Sequence, residues 1–255
     1  MNFKKLMLAL SVSAAALSGA AQADRLEAVK AAGELSCANS GAFPPFSFAN
    51  EENKIVGFDV DICEEIAARL GVKANVISTA WDGIIAGLVS GKYDTIIGSI
   101  GVTEERALAI DFTTTYYHSG LAIFVPNGSE LASLDDLAGK TVGATLGELG
   151  EQWAQDRGGW TVRTYKSIPE MLLELKAGRI DAVVADDIPV LVAVNEGAAD
   201  VKALEIEGLP QFKIAVATQK GNPELVAAIN QAITDMRADG TYLKISEKWI
   251  GADIW

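Results

Sequence analysis

Short apolar runs alternate with helix-periodic segments along most of this chain, and that alternation limits its fold more than any other feature. Glu34 to Ala38 reads as a strand. Asp59 to Leu70 reads as a helix with Val60, Ile62, Cys63, Ile66, Ala67 and Leu70 on one face and Gly71 at its end. Val72 to Ile77 is a second strand, and Trp81 to Ser90 a second helix closed by Gly91. Between strand and helix start, Asn39 to Phe46 is a turn-rich loop, and Asn50 to Lys54 a turn that leads a small hairpin into Ile55 to Phe58. A β-α-β-α order needs crossover connections, and so predicts a mostly parallel sheet covered by helices. Beyond Leu121 to Val125 and the break at Pro126, Asn127 and Gly128, the pattern starts again. Strands are expected at Thr141 to Ala144, Thr161 to Tyr165 and Ala182 to Ala185, with helices from Glu151, Ile168 and Pro189 between and after them. A strand at Lys213 to Thr218, a long helix from Glu224 to Asp239, and a short helix with a Trp-rich tail close the chain. Two α/β units follow, with the Pro126 break as a candidate hinge.

The first residues stand outside this pattern. Asn2 to Lys5 form a basic start, Leu6 to Leu17 a small-residue apolar run, and Ala21, Gln22 and Ala23 an A-x-A end. Residues 1–23 therefore read as a secretory signal peptide, too short for a stable membrane span, with Asp24 as the first mature residue. Without Lys4 and Lys5, 19 basic residues face 34 acidic ones, a net charge near -15. Nucleic acid and anionic lipid are poor partners for such a chain. Cys37 and Cys63, in the first strand and first helix, have neither metal-site nor redox-pair spacing. In an oxidising compartment they either form a disulfide or remain two buried thiols. His118 is the single histidine and has no Cys or His partners for a metal.

Chemistry concentrates between Tyr93 and Phe112. Thr95 to Ile97 reads as a buried strand, and Gly98, Ser99, Ile100, Gly101 and Val102 form a small-residue edge where backbone can approach a ligand. Thr103 can cap a helix that opens Glu104, Glu105, with Arg106 one turn in. Free amides and a guanidinium fork together suit a carboxylate. Equally, Arg106 could be a solvated residue paired with Glu105 or Asp111. Gly147, Glu148, Leu149 and Gly150 lie between strand and helix without a GK[ST] or a complete G-x-G-x-x-G, so nucleotide binding has weak support. Asp186 and Asp187 follow a strand end, where open α/β sheets place ligands.

The ordered pieces NSGAFPPFSF, IVGFDVDICEEIAARLG, WDGIIAGLVSGKYDTIIGSIGVTEERALAIDFTTTYY, LKAGRIDAVVAD and MRADGTYLKISEKW resemble the polar amino-acid-binding proteins of bacterial ABC importers, over residues 30–250. The resemblance implies an α/β, two-lobed periplasmic binding protein fold of type II. It places lobe 1 at 24–119 and 218–255, lobe 2 at 120–217, and hinge strands near 120–124 and 211–216. It implies a periplasmic monomer, without cofactor or metal, that captures a small zwitterionic ligand and delivers it to an ABC permease.

Residue by residue, the resemblance gives Phe43 a stacking role against the ligand and makes Trp81 a second wall; each could instead be plain core. Ser99 and Gly101 would offer backbone carbonyl and amide to the head group, assisted by Thr103, and Arg106 would hold the carboxylate. Gly101 departs from the family's usual Ser or Thr. Glu148 and Leu149 depart from its Gly-Thr-Thr or Gly-Ser-Thr turn, leaving the Leu149 amide for the carboxylate. Glu148 is either a cap on the following helix or a specificity residue facing a cation. Asp186 matches the acid for the α-ammonium, with Asp187 expected in solvent. Asn39 and Ser40 replace the usual Thr-Asp, which removes an acid often used for basic amino acids. The departures widen or reshape the head-group region, so opine-type conjugates stand as alternative ligands. Cyclohexadienyl dehydratases share the scaffold, and Glu148 is the one residue that could serve such an enzyme as general acid.

Overall fold

The computed structural model describes residues 25–255, so the expected signal segment lies outside the described residues. Helix α1 (Arg25–Ala32) leads into β1 (Glu34–Asn39). A small antiparallel sheet of β2 (Ala42–Phe43), β3 (Ser47–Ala49) and β4 (Ile55–Val56) follows. Its expected turn is closed by Asn50, whose Oδ1 accepts from the amides of Glu52 and Lys54. Then come α2 (Phe58–Arg69), β5 (Lys73–Ser78), α3 (Ile84–Val89), β6 (Thr95–Ile96), α4 (Glu104–Ala109) and β7 (Ile110–Pro126). The helix expected from Trp81 begins instead as a 3-10 turn, Trp81–Gly83, because two of its first three positions carry Asp and Gly. The second unit contains β8 (Thr141–Thr145), α5 (Leu149–Arg157), β9 (Thr161–Tyr165), α6 (Ile168–Lys176), β10 (Ala182–Asp186), α7 (Asp187–Asn195) and β11 (Val201–Ala203). The chain ends with β12 (Gln211–Gln219), α8 (Pro223–Asp239) and α9 (Thr241–Ile250).

Strand pairing divides these elements into two α/β lobes. In the first, β1 lies between β5 and β6, parallel to both, and in the second β8 lies between β9 and β10, again parallel to both. Both connections between lobes are made by strands. The first part of β7 pairs with β12 up to Gly120–Gln211, and from Leu121 onward β7 pairs with β10 and then β11. The Pro126 break is thus no crossing point: Pro126 ends β7 and pairs with Val201 inside the second lobe. After β12 returns, α8 and α9 pack on α2.

The first-lobe core is built on aromatic rings. Phe46 stacks on Tyr117 with centroids 5.0 Å apart, and Phe58 meets Tyr116, Tyr117 and Tyr242 at 6.1, 5.8 and 5.8 Å. Adjacent tyrosines on one strand should point to opposite faces. Both are buried here because the β7–β12 register shifts between Ile214 and Ala215, which pair with Tyr117 and Thr115; the extra residue, Tyr116, sits in a bulge. Cys37 on β1 and Cys63 on α2 are joined as a disulfide, with Cα atoms 6.4 Å apart, and no free cysteine is left. Trp249 anchors α9 by packing edge-on to Phe48 and donating Nε1–H to Asp61 at 2.7 Å.

Candidate ligand-binding site

The edge after β6 brings Ser99, Gly101 and Arg106 together. Ser99 adopts a left-handed backbone (φ 61°), unusual for a residue with a side chain, and an aromatic-acid network holds it there. Its Oγ donates to Asp59 at 2.7 Å, its amide donates to the Tyr116 hydroxyl at 3.2 Å, and that hydroxyl donates to Asp59 at 2.6 Å. Asp59 is completely buried, and burial lifts its carboxyl to about 7, although both hydroxyl donors pull the other way. Because the folded value lies above the ordinary 3.8, the folded protein binds this proton more tightly than the unfolded chain. The Asp59 contribution to stability is therefore greatest below about pH 4 and declines as pH rises to about 7, by at most ~1.4 kcal/mol per pH unit. Chemical denaturation of wild type and Asp59→Asn across that range should show wild type losing ground to the variant as pH rises. A pH-independent difference would mean that Asp59 does not titrate there.

Thr103 caps α4, its hydroxyl accepting from the Arg106 amide at 3.0 Å, so one of the helix-start amides is already used. The Arg106 side chain is not paired with Glu105 or Asp111; Asp111 instead accepts from the Gly221 amide at 2.8 Å. The guanidinium turns into the space between the lobes, where Nη1 donates to the Gly101 carbonyl at 3.0 Å and Nη2 to the Gly147 carbonyl at 3.2 Å. Burial draws its pKa down, while Glu148, Asp186 and Glu105 hold the charge in place.

Trp81 reaches the same junction from its 3-10 turn. The Trp81 indole donates to the Gly147 carbonyl at 3.3 Å. Gly147 has φ 79°, a left-handed conformation that favours glycine, and the Trp81 ring lies at ordinary contact distance from where a Cβ would stand. Phe43 is half-buried and packs against cores on both sides of the junction, touching Phe46 (centroids 5.4 Å apart). A groove of about 830 Å³ opens beside it between Pro44, Pro45, Leu172 and Trp249, and contains neither Arg106 nor Asp186.

The second lobe contributes Glu148, Leu149 and Asp186. Glu148 occupies the N-cap of α5, yet its side chain makes no capping bond; Glu151 closes the turn by accepting from the Gly147 amide at 2.7 Å. Asp186 likewise starts α7 without a capping bond. Burial raises both carboxyls well above the usual carboxylate range. For Glu148 the nearby Asp186 adds to the rise and Arg106 opposes it; for Asp186 the neighbour Asp187 adds and Arg106 opposes. Asp187 is not a solvated bystander. It accepts from the Gly120 amide at 3.1 Å, from Ser119 Oγ at 3.3 Å and from the Ile188 amide at 2.8 Å, tying α7 to the crossing strand.

Gly101 does not enlarge the head-group region. Leu149 Cδ1 lies 2.7 Å from the place a Cβ on Gly101 would take, so the space left by the missing side chain is filled by a methyl from the facing lobe. Gly101→Ser should therefore push aside the Leu149 methyl, which as the end of a flexible side chain can give way at about 0.5–1.5 kcal/mol, and Leu149→Thr in the same chain should remove that cost. A double-mutant cycle on ligand affinity measures the pair, and coupling near zero would mean that the two positions do not meet in the closed form.

One residue escaped sequence reasoning. The Tyr117 hydroxyl is buried without a hydrogen-bond partner among the described residues, close to Ser99 and near enough to Asp186 to feel its charge. The consecutive tyrosines just before Gly120 were the available signal, but the bulge that turns Tyr117 inward is not written in any local pattern.

Residues 35–252 match the family model described as bacterial extracellular solute-binding proteins, family 3. The L-cystine-binding protein TcyJ of Escherichia coli K12 is 39% identical over 232 residues, covering 90% of this chain and 87% of that protein. Among solved structures, an ancestral arginine-binding protein bound to glutamine is similar at a TM-score of 0.79 and 41% identity, with 86% of this chain and 98% of that one covered. An ancestral amino-acid-binding protein described as a precursor of cyclohexadienyl dehydratase gives 0.83 at 31% identity, covering 89% and 99%. The match is to binding proteins rather than to dehydratase-type enzymes, and it carries the general function of the group: capture of a small solute outside the cytoplasm, in the periplasm, and its delivery to an ABC permease. The chain belongs to the bacterial extracellular solute-binding proteins, family 3.

Proposed function

We propose that the solute is a free amino acid, held between the lobes with its α-carboxylate at Arg106 and its α-ammonium at Asp186. The observation that carries this reading is the convergence of one guanidinium from the first lobe and one carboxylate from the second on a single junction, each acting electrostatically on the other. Opposite charges placed so can each neutralise one end of a zwitterion as it leaves water, which is what makes its burial tolerable. Ser99 and Gly101 with the Leu149 amide complete the head-group contacts, Thr103 fixes the turn that carries Arg106, and Phe43 and Trp81 wall the side chain. The ligands named for the similar proteins, cystine, arginine and glutamine, all bear an α-ammonium and an α-carboxylate. Leu149 filling the space at Gly101 favours a free amino acid over a bulkier opine-type conjugate.

In this reading the protein works as a monomer. Residues 24–119 with 218–255 move as one lobe and 120–217 as the other, bending near 120–124 and 211–216, and the ligand stabilises the closed form. A thermal-shift screen of the mature protein against the free amino acids and representative opines tests the reading, since a solute that binds only the folded state raises the melting temperature. A shift from a free amino acid is expected. Shifts from conjugates alone would overturn it.

A further inference from the structure

We propose that Glu148 receives a second positive charge of the ligand, so that the solute is a net cation: an amino acid whose side chain carries an amine or guanidine. This rests on the amino-acid reading above and specifies its occupant.

The argument is one of charge and partners. Glu148 sits where a helix cap would, yet makes no capping bond, and no hydrogen-bond donor among the described residues acts on its carboxylate. The same is true of Asp186. Two carboxylates without donors therefore face one junction. The charged groups acting on Glu148 are Asp186 and Arg106, one of each sign. Arg106, moreover, already donates through both terminal nitrogens to the Gly101 and Gly147 carbonyls. With these three groups ionised the cluster carries one negative charge, and Asp187, which acts on Asp186, and Glu105, which acts on Arg106, make the junction more negative still. A neutral zwitterion leaves that negative excess in place, so one of the two acids keeps its proton or stays unpaired. A ligand with two positive groups and one carboxylate lowers that excess by one charge and gives Glu148 a partner.

Matched ligands that differ in that one charge provide the test: L-arginine against L-citrulline, and L-ornithine against L-norvaline, titrated calorimetrically into the full mature protein and into Glu148→Gln and Glu148→Thr. Wild type should prefer the cationic member of each pair by about 100-fold or more, and both variants should reduce that preference at least tenfold. Because both acids hold protons more firmly than usual, binding of a cation should also release protons, seen as a heat that depends on the buffer's ionisation enthalpy. Two results would overturn the proposal: wild type binding the neutral member as tightly as the cationic one, or a preference that survives in both variants. In either case the amino-acid reading stands. Failure of every free amino acid to bind wild type would instead remove that reading, and this proposal with it.

Discussion

Replacing Arg106 with alanine is expected to weaken amino-acid binding by about 2–5 kcal/mol, or about 30-fold to several thousandfold in Kd. Two losses combine in that figure. The ligand carboxylate loses its counter-charge in a place where water no longer solvates it, and Glu148 and Asp186 lose the one positive group that opposes their protonation. The variant should still fold, because Arg106 serves the protein itself only through two neutral carbonyl contacts. Arg106→Lys separates the terms: it keeps the charge and loses the planar fork, so its affinity should fall between wild type and alanine. Isothermal titration of the three proteins against one amino acid is the check, and equal affinities would place Arg106 outside the site.

Loss of the Cys37–Cys63 disulfide should be the largest single effect on stability. The bond closes a loop with a sequence separation of 26 residues, for which the chain-entropy relation gives about 3.5 kcal/mol. It also joins β1 to helix α2, so its removal acts on the element that presents Asp59 to Ser99. Denaturant unfolding of Cys37→Ser/Cys63→Ser should show an unfolding free energy lower by that amount, with a correspondingly lower midpoint, relative to wild type. An unchanged midpoint would show that packing of β1 on α2 alone secures the layer. The reduced wild-type protein should match the double variant.

Much of the fold was legible because it is set by local rules. The apolar face of α2, the Asn50 turn and the Thr103 cap each follow from side chains within a few residues of one another. The segment least legible was β7. Its TTTYYHS stretch alternates neither apolar with polar nor at helical spacing, and it becomes a strand because β12, about a hundred residues later, pairs along it. The three-residue β11 depends in the same way on the distant edge of β7. The site divides similarly. Arg106, Asp186, Ser99 and Trp81 could be named from sequence order and resemblance. The occupation of the Gly101 space by Leu149, the engagement of Asp187 with Gly120, and the inward turn of Tyr117 each require two remote segments to meet. No periodicity encodes such meetings.

The measurement that bears most directly on the central claim is a calorimetric titration of the mature protein with L-arginine and L-glutamine, each as the free amino acid, the α-methyl ester and the Nα-acetyl derivative. Arg106 and Asp186 are taken to read the two ends of the head group separately. A free amino acid should therefore bind at one site per chain, and blocking either end should cost about 100-fold or more in affinity, or ~3 kcal/mol. If an ester or an N-acetyl derivative bound as tightly as its parent, the zwitterion would not be what this cleft recognises.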